Sequence, residues 1–208
     1  MTLNMLIGIL EQGLIYGIMA MGLLITYRIL DFPDLTVDSS FPLGAAVSAT
    51  LTLQGVAPWL TLLIGCAAGG IAGLITGLIH VKCRVRDLLS GIITMTGLYS
   101  INLHIAQNKA NLPLFGGDTL FRNAFTKSLP KAISPYTTLI IIFLIALIAK
   151  ILLDLFLRTK CGYLLRAAGD NPSVVTTLSR DQGTVKILGL IIANALVALA
   201  GAVMCEQD

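Results

Sequence analysis

Three aspartates, Asp31, Asp34 and Asp38, lie in the string LDFPDLTVDSSFP at positions 30–42, with Pro33, Ser39, Ser40 and Pro42 among them and strongly apolar runs on both sides. A carboxylate in that setting is costly. At the centre of a membrane-spanning helix one aspartate costs about 2.5–3.5 kcal/mol on insertion scales, so the stretch must sit in a loop, against protein or beside water. Carboxylates so placed can orient an amino-type solute. They can equally cap the ends of a broken helix, and Asp38, Ser39 and Ser40 are good capping residues. A second polar set, Ser90, Thr94, His104 and Asn108, falls within about 40° of a common line on a helical wheel. Such a stripe either lines a pathway or bonds to adjacent helices.

Catalytic patterns are missing. The chain has no GxxxxGK[ST] phosphate loop, no HExxH and no GxSxG, and His80 and His104 fall on different helices without clustered carboxylates. Cys66, Cys83, Cys161 and Cys205 stand singly, which indicates neither a metal site nor a disulfide framework. No basic block suggests nucleic acid, and nothing calls for a cofactor.

The elements that position these residues follow from hydropathy. Of 208 residues 56% are hydrophobic and 12% charged, with a mean hydropathy of +0.87, which excludes an ordinary soluble domain. A helix needs about 20 residues to cross a bilayer. The expected fold is all-α, a polytopic integral membrane protein of about six transmembrane helices forming one domain over residues 1–208. Spans are expected over residues 5–29, 58–81, 88–107, 135–157 and 185–204. The N-terminus lacks the basic flank and cleavage site of a signal peptide, so the first span is expected to stay in the mature protein. Its Glu11 is expected at the membrane interface, and Tyr27 with Arg28 forms an interfacial anchor.

The remaining span is the irregular one. Residues 43–54 would cover only about 18 Å as a helix. Extending them back to residue 35 gives enough length but takes in Asp38, Ser39, Ser40 and Pro42, so the second helix is expected to be broken. Breaks of this kind are tolerated where the freed backbone faces protein or a cavity. In the third span Gly65, Gly69, Gly73 and Gly77 recur every four residues and line up one bare face for helix packing.

Lys82, Arg84 and Arg86 crowd a short loop, which the positive-inside rule places in the cytoplasm; Arg158 and Lys160 agree by parity. The loop over residues 108–134 then lies outside. Its Lys109, Arg122, Lys127 and Lys131 strain the same rule. Between the fifth and sixth spans, residues 158–184 form a cytoplasmic loop of two short helices. The first contains Leu164, Leu165, Ala167 and Ala168 and stops at Gly169. The second is capped by Asp170 or Asn171, begins at Pro172 and carries Val174, Val175 and Leu178. It can dock a partner or lie along the membrane surface.

The strings LLRAAGDNPSVV (164–175) and NALVALAGAVM (194–204) resemble the permease subunits of ATP-binding-cassette importers of the ribose and branched-chain amino acid type. TYRILDFPDLTVDSSFPLGAAV (26–47) is similar to the group of uncharacterised permeases that includes putative tryptophan and aromatic amino acid importers. The resemblance implies a plasma-membrane transporter subunit that is not itself an enzyme. It also implies as partners a second permease copy, cytosolic ATPase subunits and an extracytoplasmic solute-binding protein. Arg166, Ala167, Gly169, Asp170, Asn171, Pro172, Val175 and Leu178 would couple to the ATPase. Asp31, Asp34, Asp38, Ser39, Thr94 and His104 are candidates for the translocation path. Family members continue past the sixth span, so the C-terminus is expected to be short. The alternative is a secondary transporter or channel working alone, which should show an internal repeat and ionisable groups for ion coupling. Neither is evident.

Overall fold

The structure is a computed structural model and describes residues 2–107, 121, 134–170 and 182–207. They form helices without strands. Helix α1 (Thr2–Leu23) widens at its end into a π-helical turn (Leu24–Ile29). After the non-helical residues 30–36 come α2 (Val37–Leu53), α3 (Pro58–Lys82), α4 (Asp87–Ile105), α5 (Ser134–Leu157), α6 (Lys160–Asp170) and α7 (Gln182–Gln207). Among the described residues, five helices are long and apolar enough to cross a membrane: Met5–Ile29, Pro58–Lys82, Asp87–Ile105, Tyr136–Leu157 and Gln182–Gln207.

Helix α2 supplies the further, irregular segment. Its 17 residues reach about 25 Å. The break expected within it falls ahead of it instead, at residues 30–36, and Asp38, Ser39, Ser40 and Pro42 lie inside a continuous helix. Pro42 cannot bond back to the Asp38 carbonyl, yet its ring is exposed on the open side of α2, where it crowds no neighbouring helix. Gly55, at a φ of 78°, makes the turn that Pro58 closes at the first position of α3. The helix expected to stop at Gly169 runs to Asp170, and α7 begins at Gln182, ahead of its expected start.

Helix α7 is the centre of the bundle. Over its most apolar window 56% of residues are buried, against 17% for α5 at the periphery. Lipid tails are as apolar as leucine, so close backbone packing must hold helices together, and small residues permit it. Ala193, Ala198, Gly201 and Ala202 present such a surface on α7. Gly22 of α1 lies against the Ala193 carbonyl, Gly44 of α2 against that of Ala198, and Gly201 of α7 against that of Phe41. The four-residue glycine row of α3 also faces α7: Gly65 meets Ala202, Gly69 meets Asn194 and Ala198, Gly73 meets Leu190, and Gly77 meets Ile187. Larger side chains fill the space between crossings, Ile15, Ile18, Ile142 and Val203 in one cluster and Ile25, Leu30, Phe32, Leu165 and Leu190 in another.

The chain ends of α1, α3 and α5 meet the start of α7 at one end of the bundle, where Arg28, Lys82 and Arg158 also lie. It is called the basic end below.

Candidate functional site at the helix break

Residues 30–36 are held by side chains from three helices. Asp34 is 1% exposed. Its Oδ1 accepts the Thr36 backbone N–H at 2.8 Å, which closes the turn ahead of α2. Its Oδ2 accepts Nδ2 of Asn194, from the middle of α7, at 2.8 Å. The same Nδ2 donates to the Leu190 carbonyl at 3.1 Å, and Asn194 Oδ1 accepts the Ser40 hydroxyl at 2.7 Å. The Asn194 amide is thus bonded on both sides, with its orientation set by an acceptor at one end and a donor at the other. Thr76 of α3 donates to the Ala72 carbonyl at 3.1 Å, so Thr36 donates the bond between the Thr36 and Thr76 hydroxyls at 2.9 Å. Every side chain in this set is buried. Gly91 lets the α4 backbone pass beside it: a Cβ there would come within 2.9 Å of Leu35 N and 3.5 Å of Asp34 Oδ1.

The arrangement has no nucleophile and no general base facing a cleft. It is a lock: one buried carboxyl, bonded only to neutral donors, ties the break to α7, while the adjoining residues tie it to α2 and α3. Charge-assisted bonds of this kind are roughly twice as strong as neutral ones.

The other residues singled out from sequence scatter around the lock. Ser39 is buried, donates to the Met95 carbonyl at 3.0 Å, and its own carbonyl accepts Nδ2 of Asn102 at 3.0 Å. Thr94 is buried with its hydroxyl on the Ser90 carbonyl at 3.0 Å. His104 is exposed at the far end of α4, and Asn108 lies outside the described residues. Asp31 is exposed at a φ of 50°, and Asp38 is exposed in the first turn of α2.

Helix α6 rests on the break. It buries Gly162, Leu165 and Ala168 and exposes Tyr163, Arg166 and Asp170. Gly169 lies against the Ile29 carbonyl so closely that no side chain would fit. Leu165, fully buried, packs with Leu30 and Phe32, and a Cβ on Gly189 of α7 would come 2.8 Å from its Cδ1. Ala167 is half-buried on the same helix; Asn171, Pro172, Val175 and Leu178 lie outside the described residues.

Two further polar clusters form around residues whose partners the sequence did not indicate. His80, read as isolated, has Nδ1 2.9 Å from the Val85 carbonyl and 3.0 Å from Asp87 Oδ1, so Nδ1 carries the proton. Its Nε2 accepts Nζ of Lys186 at 3.3 Å, and its ring stands edge-on to Phe32. His80→Phe keeps a ring there but leaves Lys186 and Asp87 without it; thermal unfolding in detergent should show a loss of about 1–2 kcal/mol. At the opposite end, Glu206 accepts the Ser48 hydroxyl at 3.1 Å and that of Thr61. Glu11, expected at the interface, turns inward to accept Nε2 of Gln207 at 2.8 Å. The partners of Glu206 and Glu11 lie 145 to 196 residues away in the chain, so no local pattern announces them.

Comparison with known proteins bears on what such a bundle does. A protein-family profile described as the permease component of branched-chain amino acid transport systems matches residues 5–207. The chain is similar to a tyrosine transport system permease protein of Clostridioides difficile, 43% identical over 97% of this chain and 64% of that protein. It is similar to a probable branched-chain amino acid transport permease protein of Methanocaldococcus jannaschii, 29% identical over 94% of this chain and 65% of the relative. It also resembles a ribose import permease protein of Bacillus subtilis, 27% identical over 97% of this chain and 60% of the relative. The chain thus spans about two thirds or less of these relatives. No solved structure matches it.

Proposed function

The chain belongs to the family of branched-chain amino acid transport permease components, and on that premise we propose that it is the membrane-spanning subunit of an ATP-binding-cassette importer. The solute is a small one, with an aromatic amino acid favoured by the name of the tyrosine permease relative. Closure of partner ATPases in the cytosol drives alternating access, and an extracytoplasmic binding protein delivers the solute. A second permease copy completes the path. The basic end, with Arg28, Lys82, Arg84, Arg86, Arg158 and Lys160, faces the cytosol.

The observation that carries this reading is the mounting of α6. A helix at the basic end buries one face against the break and offers Arg166, Tyr163 and Asp170 outward. Residues 171–178 follow it in the sequence, and we assign Arg166, Ala167, Gly169, Asp170, Asn171, Pro172, Val175 and Leu178 to the ATPase contact. Within the membrane we assign Asp34 to the lock and Asp31, Asp38, Ser39, Thr94 and His104 to the neighbourhood of the path.

Exchanging Val175 and Leu178 for aspartate tests the contact. Two charges set into an apolar interface should weaken it by at least about 3 kcal/mol, roughly a hundredfold. The ATPase should then no longer co-purify, while the permease still reaches the membrane. Undiminished co-purification would sink the assignment, and wild-type uptake driven by an ion gradient without ATP would sink the importer reading itself.

A further inference from the structure

Asp38 is exposed at a depth where a lipid-facing carboxylate is not tolerated. Its neighbours in sequence fix that depth, at 1.5 Å per residue along each contacted helix. Thr36 bonds to Thr76, about 9 Å from the end of α3 at Lys82. Ser39 bonds to Met95, about 12 Å from the start of α4 at Asp87. Ser40 bonds to Asn194, about 18 Å from the start of α7 at Gln182. All three distances run from the basic end, and they rise in order along α2. Asp38 therefore lies about 9–12 Å from the basic ends of the spans, beside Ser39, whose partner Met95 stands near the middle of α4, and so deep within a hydrocarbon core roughly 30 Å thick.

Val37, Ser39 and Ser40 are buried, whereas Asp38 and Pro42 share the open side of α2. Among the described residues no lysine, arginine or histidine lies within ion-pair distance of Asp38. The α2 dipole favours a carboxylate in the first turn by about 0.3–1 kcal/mol, less than the roughly 2.5–3.5 kcal/mol cost of mid-membrane aspartate. A helix-capping role is therefore too weak to explain it, and the carboxylate must be wetted. The open side lies between Phe41, stacked on Tyr16 of α1, and Ser39, which is bonded to α4.

We propose that this side of α2 lines a water-filled solute path, and that Asp38 meets the ammonium group of an amino-acid solute there. The proposal rests on the importer reading and deepens it. An ammonium group can replace the water around the carboxylate with a charge-assisted hydrogen bond, which a solute without a cation cannot do.

The test uses the permease assembled with its ATPase and binding protein in proteoliposomes, with tyrosine as probe. Asp38→Asn should lower ATP-driven tyrosine uptake at least about tenfold, the equivalent of one lost charge-assisted bond, with ATPase co-purification unchanged. Asp38→Glu should restore most of it. In a background lacking Cys66, Cys83, Cys161 and Cys205, Asp38→Cys should react with a small water-soluble cationic thiol reagent and be protected by tyrosine with the binding protein. Wild-type uptake by Asp38→Asn, or an unreactive Asp38→Cys, would overturn the proposal. So would separation of two permease copies by Asp38→Asn, the result expected if a basic group of the second copy meets Asp38. Absence of the ATPase from wild-type preparations would instead count against the importer reading.

Discussion

Asn194→Leu is expected to remove most folded protein from the membrane. Leucine keeps the γ-branched outline of the asparagine but strips Asp34 Oδ2 of its Nδ2 donor and the Ser40 hydroxyl of its acceptor, both at buried positions. Each orphaned polar group costs about 1–3 kcal/mol, and more where it is charged. Against a total stability of roughly 5–15 kcal/mol this is decisive. Detergent-solubilised Asn194→Leu should lose its monodisperse peak in size-exclusion chromatography or unfold at a much lower temperature. Adding Asp34→Asn should recover part of the loss, because a neutral amide costs less to bury than an unpaired carboxylate. A double variant no better than the single one would show that the Asp34 charge is not what fails.

The second large effect is expected at Gly73. A Cβ there would run into the Leu190 carbonyl oxygen and come within 2.7 Å of its carbon, both main-chain atoms that no rotamer change can move. Gly73→Val should cost at least the upper part of the roughly 1–3 kcal/mol usual for overpacking, since α3 and α7 must separate to admit it. Gly17→Ala is the control. Nothing lies within 4 Å of a Cβ at Gly17, so there the better helix propensity of alanine should leave stability unchanged or raise it by up to about 1 kcal/mol. Thermal unfolding of the two variants side by side decides the matter, and equal midpoints would refute the packing account.

Five of the expected spans and their order were legible because twenty apolar residues in a row have few other uses, and the permease family followed from the strings around Thr26 and Leu164. The sorting of Asp31, Asp34 and Asp38 was not legible. Composition sets the cost of a carboxylate in lipid but not its direction, and within one short segment Asp34 turns into the lock while Asp31 and Asp38 turn out of it. Pro42 misled for a related reason. Proline usually ends a helix because it loses one backbone bond and its ring crowds the turn before it, yet α2 continues past Pro42, which stands in its second turn. The polar stripe of α4 was half legible: the wheel joins Ser90, Thr94 and His104, but the neighbouring helices bury only the first two. Asn194 is buried in the middle of α7, and its partners Asp34 and Ser40 lie more than 150 residues away in the chain.

The central place of α7 has a consequence for biogenesis. A ribosome makes α1 to α6 first, so the translocon releases helices whose glycine faces at Gly22, Gly44, Gly69 and Gly73 have nothing yet to meet. The Asp34 carboxyl waits in the same way for Asn194. Until α7 arrives, the earlier helices lack these contacts, and incompletely packed intermediates of this kind are prone to misassembly. Substitutions in α7 should therefore shorten the lifetime of newly made chains before they alter the properties of those that mature.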